Sequence, residues 1–228
     1  IVYQAEVRSE VMNFEFISEH IPLYTKAALL TVTIGSIGIV LSAVVGLICA
    51  LSKYYKIPVL NGLFTAYTEL SRNTPLIVQL FFLYFGLPKA GIVLSSEACG
   101  IIGLAFLGGS YMSESFLSGL ETVGKSQIES AESLGLNRSQ TMRYVVFPQA
   151  AAAAMPAFSA NIIFLLKETS VFSAVSLADL MYVAKDLIGM YYNTTEALVM
   201  LVTAYLIMIL PISLLLSVIE RRVRHGGN

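Results

Sequence analysis

The sequence predicts an all-α, polytopic membrane protein with five transmembrane helices, and three observations support this. First, 56% of the 228 residues are hydrophobic and only 13% are charged, whereas a soluble domain carries about 25% charged residues. Second, several apolar stretches reach the length of about 20 residues that a helix needs to cross a bilayer. Third, the basic residues between these stretches concentrate on alternate loops, as membrane topology requires.

The five predicted spans differ in how apolar they are. The first, fourth and fifth contain no charged residue, whereas the second carries Glu69 and Arg72 and the third carries Glu114. Ionisable groups inside a membrane are costly and usually face a pathway or one another. Pro75 removes a backbone hydrogen bond from the second span, so we expect a kink near residues 73–74. The five spans are 27–52, 57–88, 98–120, 144–166 and 197–219.

Loop charges orient the chain. Basic residues follow the first span, separate the third span from the fourth and follow the fifth, which assigns these three regions to the cytoplasm. The N-terminus is then outside and the C-terminus inside. We expect an external tail at 1–22, a transmembrane domain at 23–220 and a basic cytoplasmic tail at 221–228. The basic residues are Lys53, Lys56, Lys125, Arg138, Arg143, Arg221, Arg222 and Arg224.

Residues 119–126, GLETVGKS, match the phosphate-binding P-loop letter for letter, including Lys125 and Ser126. That motif binds phosphate only where it follows a buried strand and opens a helix, whereas here it follows a predicted transmembrane helix. The nearest candidate for a second, metal-binding strand is SLADL at 176–180, which falls on the outer side. We interpret the match as a chance one, so we expect no cofactor in this chain.

Enzyme and nucleic-acid functions have no support in the sequence. His20 and His225 lie near opposite ends of the chain, and no Ser–His–acid or metal-ligand grouping is present. The net charge of −1 offers no basic surface for nucleic acid. The function classes that remain are therefore a transporter and, as its alternative, a channel or a membrane scaffold.

Small residues recur every fourth position on the first span, at Gly38, Ser42, Gly46 and Ala50. Such spacing lets another helix approach closely. We favour packing within the subunit over a contact between subunits.

The longest polar stretch on the predicted inner side is residues 125–150. A helix is expected over 127–134, ended by Gly135 in the left-handed conformation. Asn137 and Gln140 form a capping pair that opens the next helix. This helix–glycine–helix elbow fits a docking element for a cytoplasmic partner, and a plain surface linker is the alternative.

The elbow resembles the EAA loop of importer-type ABC permeases. Glu129-Ser-Ala, Gly135 four residues after that alanine, and Val145-Val-Phe-Pro after nine further residues resemble the family's Glu-Ala-Ala, Gly and Ile-x-Leu-Pro pattern. The Glu, Gly and Pro of the pattern are present, whereas Ser130, Val145 and Phe147 depart from it. Residues 67–88 and 165–180 resemble two further segments of the polar amino-acid branch. The helix before the loop departs from that branch, which has Arg-Gly where residues 117–118 are Leu-Ser.

This resemblance implies a type I ABC importer transmembrane domain in the bacterial cytoplasmic (inner or plasma) membrane, with its EAA loop at 123–148. It further implies two separate ATPase subunits that bind ATP and Mg²⁺, a second permease subunit, identical or different, and an extracytoplasmic amino-acid-binding protein. The docking function on the ATPase would fall to Glu129, Ala131, Glu132, Gly135 and Arg138.

An amino-acid substrate requires an acceptor for its ammonium group and donors for its carboxylate. The candidate acceptors are Glu114 and Glu168. The candidate donors are Arg72, Thr74, Gln79 and Asn161. Pairing among the helices is the alternative role for each, and a Glu69–Arg72 pair is expected to hold the kink. An importer of another small polar solute (an opine, a polyamine or a sulfur compound) and a channel or scaffold without an ATPase remain the alternative functions.

Overall fold

The computed structural model of the chain describes residues 12–226, with side chains to residue 223, and its regular elements there are all helical. The all-α prediction is confirmed for this part of the chain. Short 3₁₀ or π turns at Phe82–Gly86, Leu87–Ala90, Met142–Val146 and Thr169–Val175 extend or join the helices. The helices are α1 (Phe14–Tyr54), α2 (Leu60–Arg72), α3 (Leu76–Phe81), α4 (Ser96–Glu121), α5 (Lys125–Ser133), α6 (Arg138–Thr141), α7 (Phe147–Glu168), α8 (Leu180–Tyr191) and α9 (Thr194–Gly226).

Three helical stretches are long and apolar enough to cross a membrane: Phe14–Tyr54, Arg138–Val175 and Thr194–Val223. They contain the three uncharged spans that the sequence predicts. The predicted second span is divided between α2 and the shorter apolar stretch Leu76–Ala90. The predicted third span corresponds to α4, whose polar residues lower its hydropathy. The five-span count stays a prediction.

The break between α2 and α3 lies where the sequence predicts it. Pro75 adopts φ −57° and ψ 142° between the two helices, because it has no N–H to donate and disfavours a helical conformation in the residue before it. The side-chain amide of Gln79 replaces the missing donors: its Nε2 donates to the carbonyl oxygens of Ser71 at 3.1 Å and Thr74 at 2.9 Å. The side chain of Gln79 on α3 is therefore hydrogen-bonded to the end of α2 and to the turn that follows it.

Helix α4 lies at the centre of the fold, and α1 packs along it at very short range. A Cβ atom at Gly46 would lie 2.5 Å from Met112 Cβ, and one at Gly38 would lie 2.8 Å from Leu104 Cδ2. Ser42 Oγ lies 3.0 Å from the Leu104 carbonyl oxygen. The small residues of α1 thus serve packing within the subunit, as we favoured from the sequence.

Helix α4 also packs against α7. A side chain at Gly119 would collide with the carbonyl oxygen of Ala150 on α7. Gly119 belongs to GLETVGKS, which runs from the last turn of α4 into α5 and follows a helix rather than a strand. This sequence therefore lacks the preceding strand that a P-loop requires, and its first glycine is a packing residue. The expectation that the chain binds no cofactor stays a prediction.

A second apolar cluster joins the start of α1, the whole of α8 and the first half of α9, and includes Phe16, Tyr24, Leu180 and Met200. Tyr24 Oη donates to the Ala197 carbonyl oxygen at 2.8 Å. Residues 1–11 of the predicted external tail lie outside the described residues, whereas 14–22 are helical and continuous with α1. We call this three-helix unit the α1–α8–α9 cap.

We expect Gly46→Ala to destabilise the protein by about 1–3 kcal/mol, because the added methyl group overpacks the α1–α4 contact. Gly62→Ala is the matched control, since nothing lies within 4 Å of a Cβ atom at that exposed position; it should be neutral or slightly stabilising. Thermal unfolding of the purified protein in detergent measures both variants. Equal melting temperatures for the two would contradict the packing role.

Candidate functional site

The polar residues predicted inside the membrane meet where α2 and α4 pack. Arg72 Nη1 forms an ion pair with Glu114 Oε1, and the two side chains are 37% and 44% exposed. The guanidinium carbon of Arg72 also lies 5.3 Å from the ring centroid of Tyr111, a distance that permits a cation–π interaction. Arg72 and Glu114, two of the predicted substrate residues, therefore neutralise each other's charge.

The predicted Glu69–Arg72 pair is wrong. Glu69 instead accepts from the side-chain amide of Asn73, at 2.7 Å to its carbonyl oxygen and 3.4 Å to Oε2. Arg72 reaches across to Glu114, which is 42 residues away in sequence, because α2 packs on α4. The i,i+3 spacing on α2 gave no information about this partner.

Asn161 brings α7 into the same cluster. Its Nδ2 donates to the Tyr111 carbonyl oxygen at 3.2 Å and to Ser115 Oγ at 2.8 Å. The rings of Tyr111 and Phe164 are 5.1 Å apart, so Tyr111 contacts Arg72 on α2 and Phe164 on α7. Three of the six predicted substrate residues, on three different helices, are thus brought together around one tyrosine.

Thr74 and Gln79 hold the helix break instead. Thr74 Oγ1 donates to the Leu70 carbonyl oxygen at 2.8 Å, and both hydrogens of the Gln79 amide are directed to carbonyl oxygens across the break. Neither residue has a donor left for a substrate carboxylate. Gln79 Oε1, in contrast, is buried and has no hydrogen-bond partner.

Glu168 lies at the end of α7, seven residues after Asn161 and so on nearly the same face of the helix. It is partly buried, and within residues 12–226 no hydrogen bond or ion pair to its carboxylate is found. The structure neither joins it to the Tyr111 cluster nor gives it another partner. Its role as an acceptor stays a prediction.

The elbow of the cytoplasmic loop has the local geometry that the sequence predicts. Gly135 has φ +85°, its N–H donates to the Glu132 carbonyl oxygen at 2.9 Å, and the Leu136 N–H donates to the Ala131 carbonyl oxygen at 3.2 Å. These two bonds define a Schellman motif, which ends α5. The capping box that opens α6 is also present: Asn137 and Gln140 exchange hydrogen bonds of 2.9 and 3.0 Å.

The side chains of the elbow divide into a buried anchor and an exposed surface. Ala131 is buried, whereas Glu129, Glu132 and Arg138 are exposed and have no ion-pair partner in the described part of the chain. Leu134, which the sequence analysis did not select, is 83% exposed at the tip. A cleft of about 360 Å³ lies beside it. Its lining is Ser126, Gln127, Ser130, Ala131, Leu134, Leu136, Val145 and Gln149.

Asp179 is a second residue that sequence reasoning did not select as important. It caps α8, and its Oδ1 accepts from the Tyr182 N–H at 2.8 Å, while Oδ2 is buried without a partner. Burial raises the pKa of this carboxyl to about 7, and its helix-capping hydrogen bonds and the charge of Lys185 oppose the rise. An aspartate just before an apolar helix is a signal for an N-cap residue. Its burial, however, depends on how α8 packs against α1 and α9 in the α1–α8–α9 cap.

The helical fold and the polar cluster between its helices fit the membrane-embedded subunit of a transporter. The family model described as "Binding-protein-dependent transport system inner membrane component" matches residues 42–225. The chain belongs to this family.

Individual relatives of the chain are also named as transporter permeases. The chain is 37% identical to the probable glutamine ABC transporter permease protein GlnP of Bacillus subtilis (strain 168), over 75% of this chain and 78% of that protein. It is 29% identical to the nopaline transport system permease protein NocM of Agrobacterium fabrum (strain C58 / ATCC 33970), over 95% and 96%.

Solved structures share the fold. A crystal structure of an amino acid ABC transporter with histidines superposes with a TM-score of 0.85 at 31% identity, covering 93% of this chain and 99% of that chain. Inward-facing MetNI methionine ABC transporter superposes with a TM-score of 0.73 at 20% identity, covering 90% and 98%.

We expect Asp179→Asn to remove a pH dependence of stability. Because the folded pKa of about 7 lies above the usual value of 3.8, the carboxyl stabilises the fold fully below about pH 4, and this stabilisation is lost as the pH rises to 7. The asparagine still caps α8, so at pH 8 the variant should be more stable than wild type, by on the order of 4 kcal/mol.

Melting temperatures at pH 5 and pH 8 measure this effect. Asp186→Asn, an exposed change on the same helix, is the control and should leave the pH dependence unchanged. A parallel pH profile for Asp179→Asn and wild type would contradict the assignment.

Proposed function

We propose that the chain is the membrane-spanning permease of an ATP-driven importer for polar amino acids in the bacterial cytoplasmic membrane. The observation that carries this proposal is the similarity to the amino acid ABC transporter structure, at 31% identity over 93% of the chain. Relatives named for glutamine agree with it. The nopaline permease favours an opine as the second candidate substrate.

The proposed topology has five crossings: α1, α2 with α3, α4, α7 and α9. It leaves the N-terminus outside and places the elbow and the C-terminus in the cytoplasm, because the basic residues then share the inner side. Two ATPase subunits would dock on the elbows of this chain and of a second permease. The extracytoplasmic binding protein would approach from the opposite side.

The elbow is suited to transmit motion from the ATPase. Its exposed acidic and basic residues and Leu134 are available to a partner, while Ala131 and the Schellman motif fix its shape. Helix α6, the turn Met142–Val146 and α7 are continuous in the chain. Displacement of the elbow would therefore move α7, and through Asn161 it would reach α4. Two ATPase states that hold the elbow differently would then drive alternating access.

The Tyr111 cluster is the proposed contact with the charged ends of the substrate. A partly exposed ion pair at membrane depth is unfavourable against lipid, so it should face the pathway or the second permease. Arg72 could exchange Glu114 for the substrate carboxylate, and Glu114 could then accept from the ammonium group. An ion pair with no net charge suits a zwitterion, and Asn161 and Glu168 would add polar contacts.

Uptake of labelled amino acids into proteoliposomes that contain the assembled importer tests the function. The panel should hold basic, acidic, amide and sulfur-containing amino acids together with an opine. We expect ATP-dependent accumulation of at least one amino-acid class. Accumulation of the opine alone would favour the second candidate, and passive flux without ATP would indicate a channel.

We expect Gly135→Val to reduce ATP-dependent uptake at least 10-fold, because a β-branched residue does not tolerate φ +85°. Loss of the Schellman motif would disrupt the docking element without changing the membrane helices. Gly124→Val, in the same loop at φ −65°, is the matched control and should retain uptake. Copurification of the ATPase measures docking directly, and undiminished copurification and uptake for Gly135→Val would refute the assignment.

The ion pair can be tested by reversal. Arg72→Glu and Glu114→Arg should each reduce uptake at least 10-fold, because each leaves two like charges in contact. The double variant should recover the melting temperature but not the uptake, since the two charges have exchanged places relative to Tyr111 and Asn161. Recovery of both properties would mean that the pair only holds the helices together.

A further inference from the structure

Glu69 carries a charge that no basic group neutralises in the part of the chain that the structure describes. The five proposed spans contain three charged residues, the acids Glu69 and Glu114 and the base Arg72. Arg72 forms its ion pair with Glu114, so the net charge of −1 in the spans belongs to Glu69. Within residues 12–226 its carboxylate accepts a single hydrogen bond, from Asn73 Nδ2 at 3.4 Å.

Lipid is an unfavourable environment for this carboxylate. Glu69 is exposed on α2, near the middle of the proposed second span, and an ionised group at such a depth requires water or an opposite charge. Asn73 is neutral and supplies no charge. Its NH₂ group also donates to the Glu69 carbonyl oxygen at 2.7 Å, so its Oδ1 adds a second acceptor to the same surface.

A line of exposed residues extends from Glu69 in both directions along α2. Successive members are three or four residues apart, which places them on one face of the helix. Two of them, Gly62 and Ala66, are too small to cover the carboxylate, and a Cβ atom at Gly62 would have no neighbour within 4 Å. We call this surface the acidic face of α2. It consists of Gly62, Ala66, Glu69 and Asn73.

The two edges of the acidic face differ in their chemistry. On one side lies Arg72, whose ion pair with Glu114 is partly exposed. On the other side lie Leu63 and Leu70, which are 60% and 64% exposed and suit contact with lipid. Glu69 is about one helical turn from Arg72, so an aqueous pathway at the ion pair adjoins the acidic face as well.

We propose that the acidic face of α2 lines the water-filled translocation pathway and that Glu69 makes this pathway favour positively charged solutes over negatively charged ones. The inference rests on the proposed function and makes it more specific, because the Arg72–Glu114 pair is neutral and does not distinguish the charge of a substrate side chain. A second copy of this chain would offer Glu69 no free cation from its spans, since the basic residue there is already paired. Water is therefore the proposed neighbour.

Single cysteines test whether water reaches the acidic face. Gly62→Cys, Ala66→Cys and Asn73→Cys place a thiol on it, whereas Leu63→Cys and Leu70→Cys are matched controls on the same helix. The two native cysteines are buried, so the background is low. Membrane-impermeant methanethiosulfonates are applied to both sides of proteoliposomes that contain the assembled importer. Because thiolates form in water and not in lipid, we expect reaction on the acidic face to be at least about 10-fold faster.

Reagents of opposite charge measure the effect of Glu69. The trimethylammonium-ethyl and sulfonatoethyl methanethiosulfonates are similar in size to an amino acid, and their relative rates are compared at Ala66→Cys. We expect the cationic reagent to be favoured and Glu69→Gln to lower this preference by about 3- to 10-fold, as for one unit charge at about 6 Å in water. Glu97→Gln removes an exposed acid from the first turn of α4 and should leave the preference unchanged.

Each result has one meaning. Thiols on the acidic face that react as slowly as those at Leu63 and Leu70 would overturn the proposal, as expected if a second permease covers this face. A reagent preference that Glu69→Gln leaves unchanged would overturn the role of its charge. Neither measurement requires transport, so the absence of uptake of every amino acid by the wild-type importer would instead overturn the proposed function itself.

Discussion

The close approach of α1 to α4 is the contact on which both functional regions depend. Helices in a membrane gain little from the hydrophobic effect when they associate, so short-range packing and interhelical hydrogen bonds hold them together. Here Gly46 and Gly108 bring the two backbones together, and Ser42 lies within hydrogen-bonding distance of a carbonyl oxygen of α4. Since α4 carries Tyr111 and Glu114, the position of the polar cluster is set by contacts that contain no functional residue.

The elbow and the polar cluster are connected through one continuous stretch, Arg138–Val175. The elbow adjoins its first turn, and Asn161 lies near its middle. The contact from Asn161 to α4 is a pair of hydrogen bonds to an oxygen of the backbone and an oxygen of a side chain. Such bonds have a defined direction, so a rotation of α7 would alter them more than it would alter apolar packing.

The parts of the structure that follow from local chemistry could be predicted, and the parts that follow from tertiary packing could not. Hydropathy identified the three uncharged spans, and turn residues identified the break at Pro75 and the elbow at Gly135. The partner of Arg72 was missed because the nearest acid in sequence already accepts from Asn73, whereas Glu114 becomes a neighbour only when α2 packs on α4. The burial of Asp179 could not be predicted either, because it also arises from the packing of helices that are distant in sequence.

The hydrogen bonds of Gln79 at the helix break constrain how this protein can evolve. Its NH₂ group donates to two carbonyl oxygens at the break, and in the described part of the chain the Thr74 oxygen has no other donor. A change at position 79 therefore leaves a backbone group without its partner. The apolar side chains near Gln79 donate no hydrogen bond to the break. Sequence change among related permeases is therefore expected at apolar positions such as Val78, Phe82 and Ile102, while the glutamine beside them is retained.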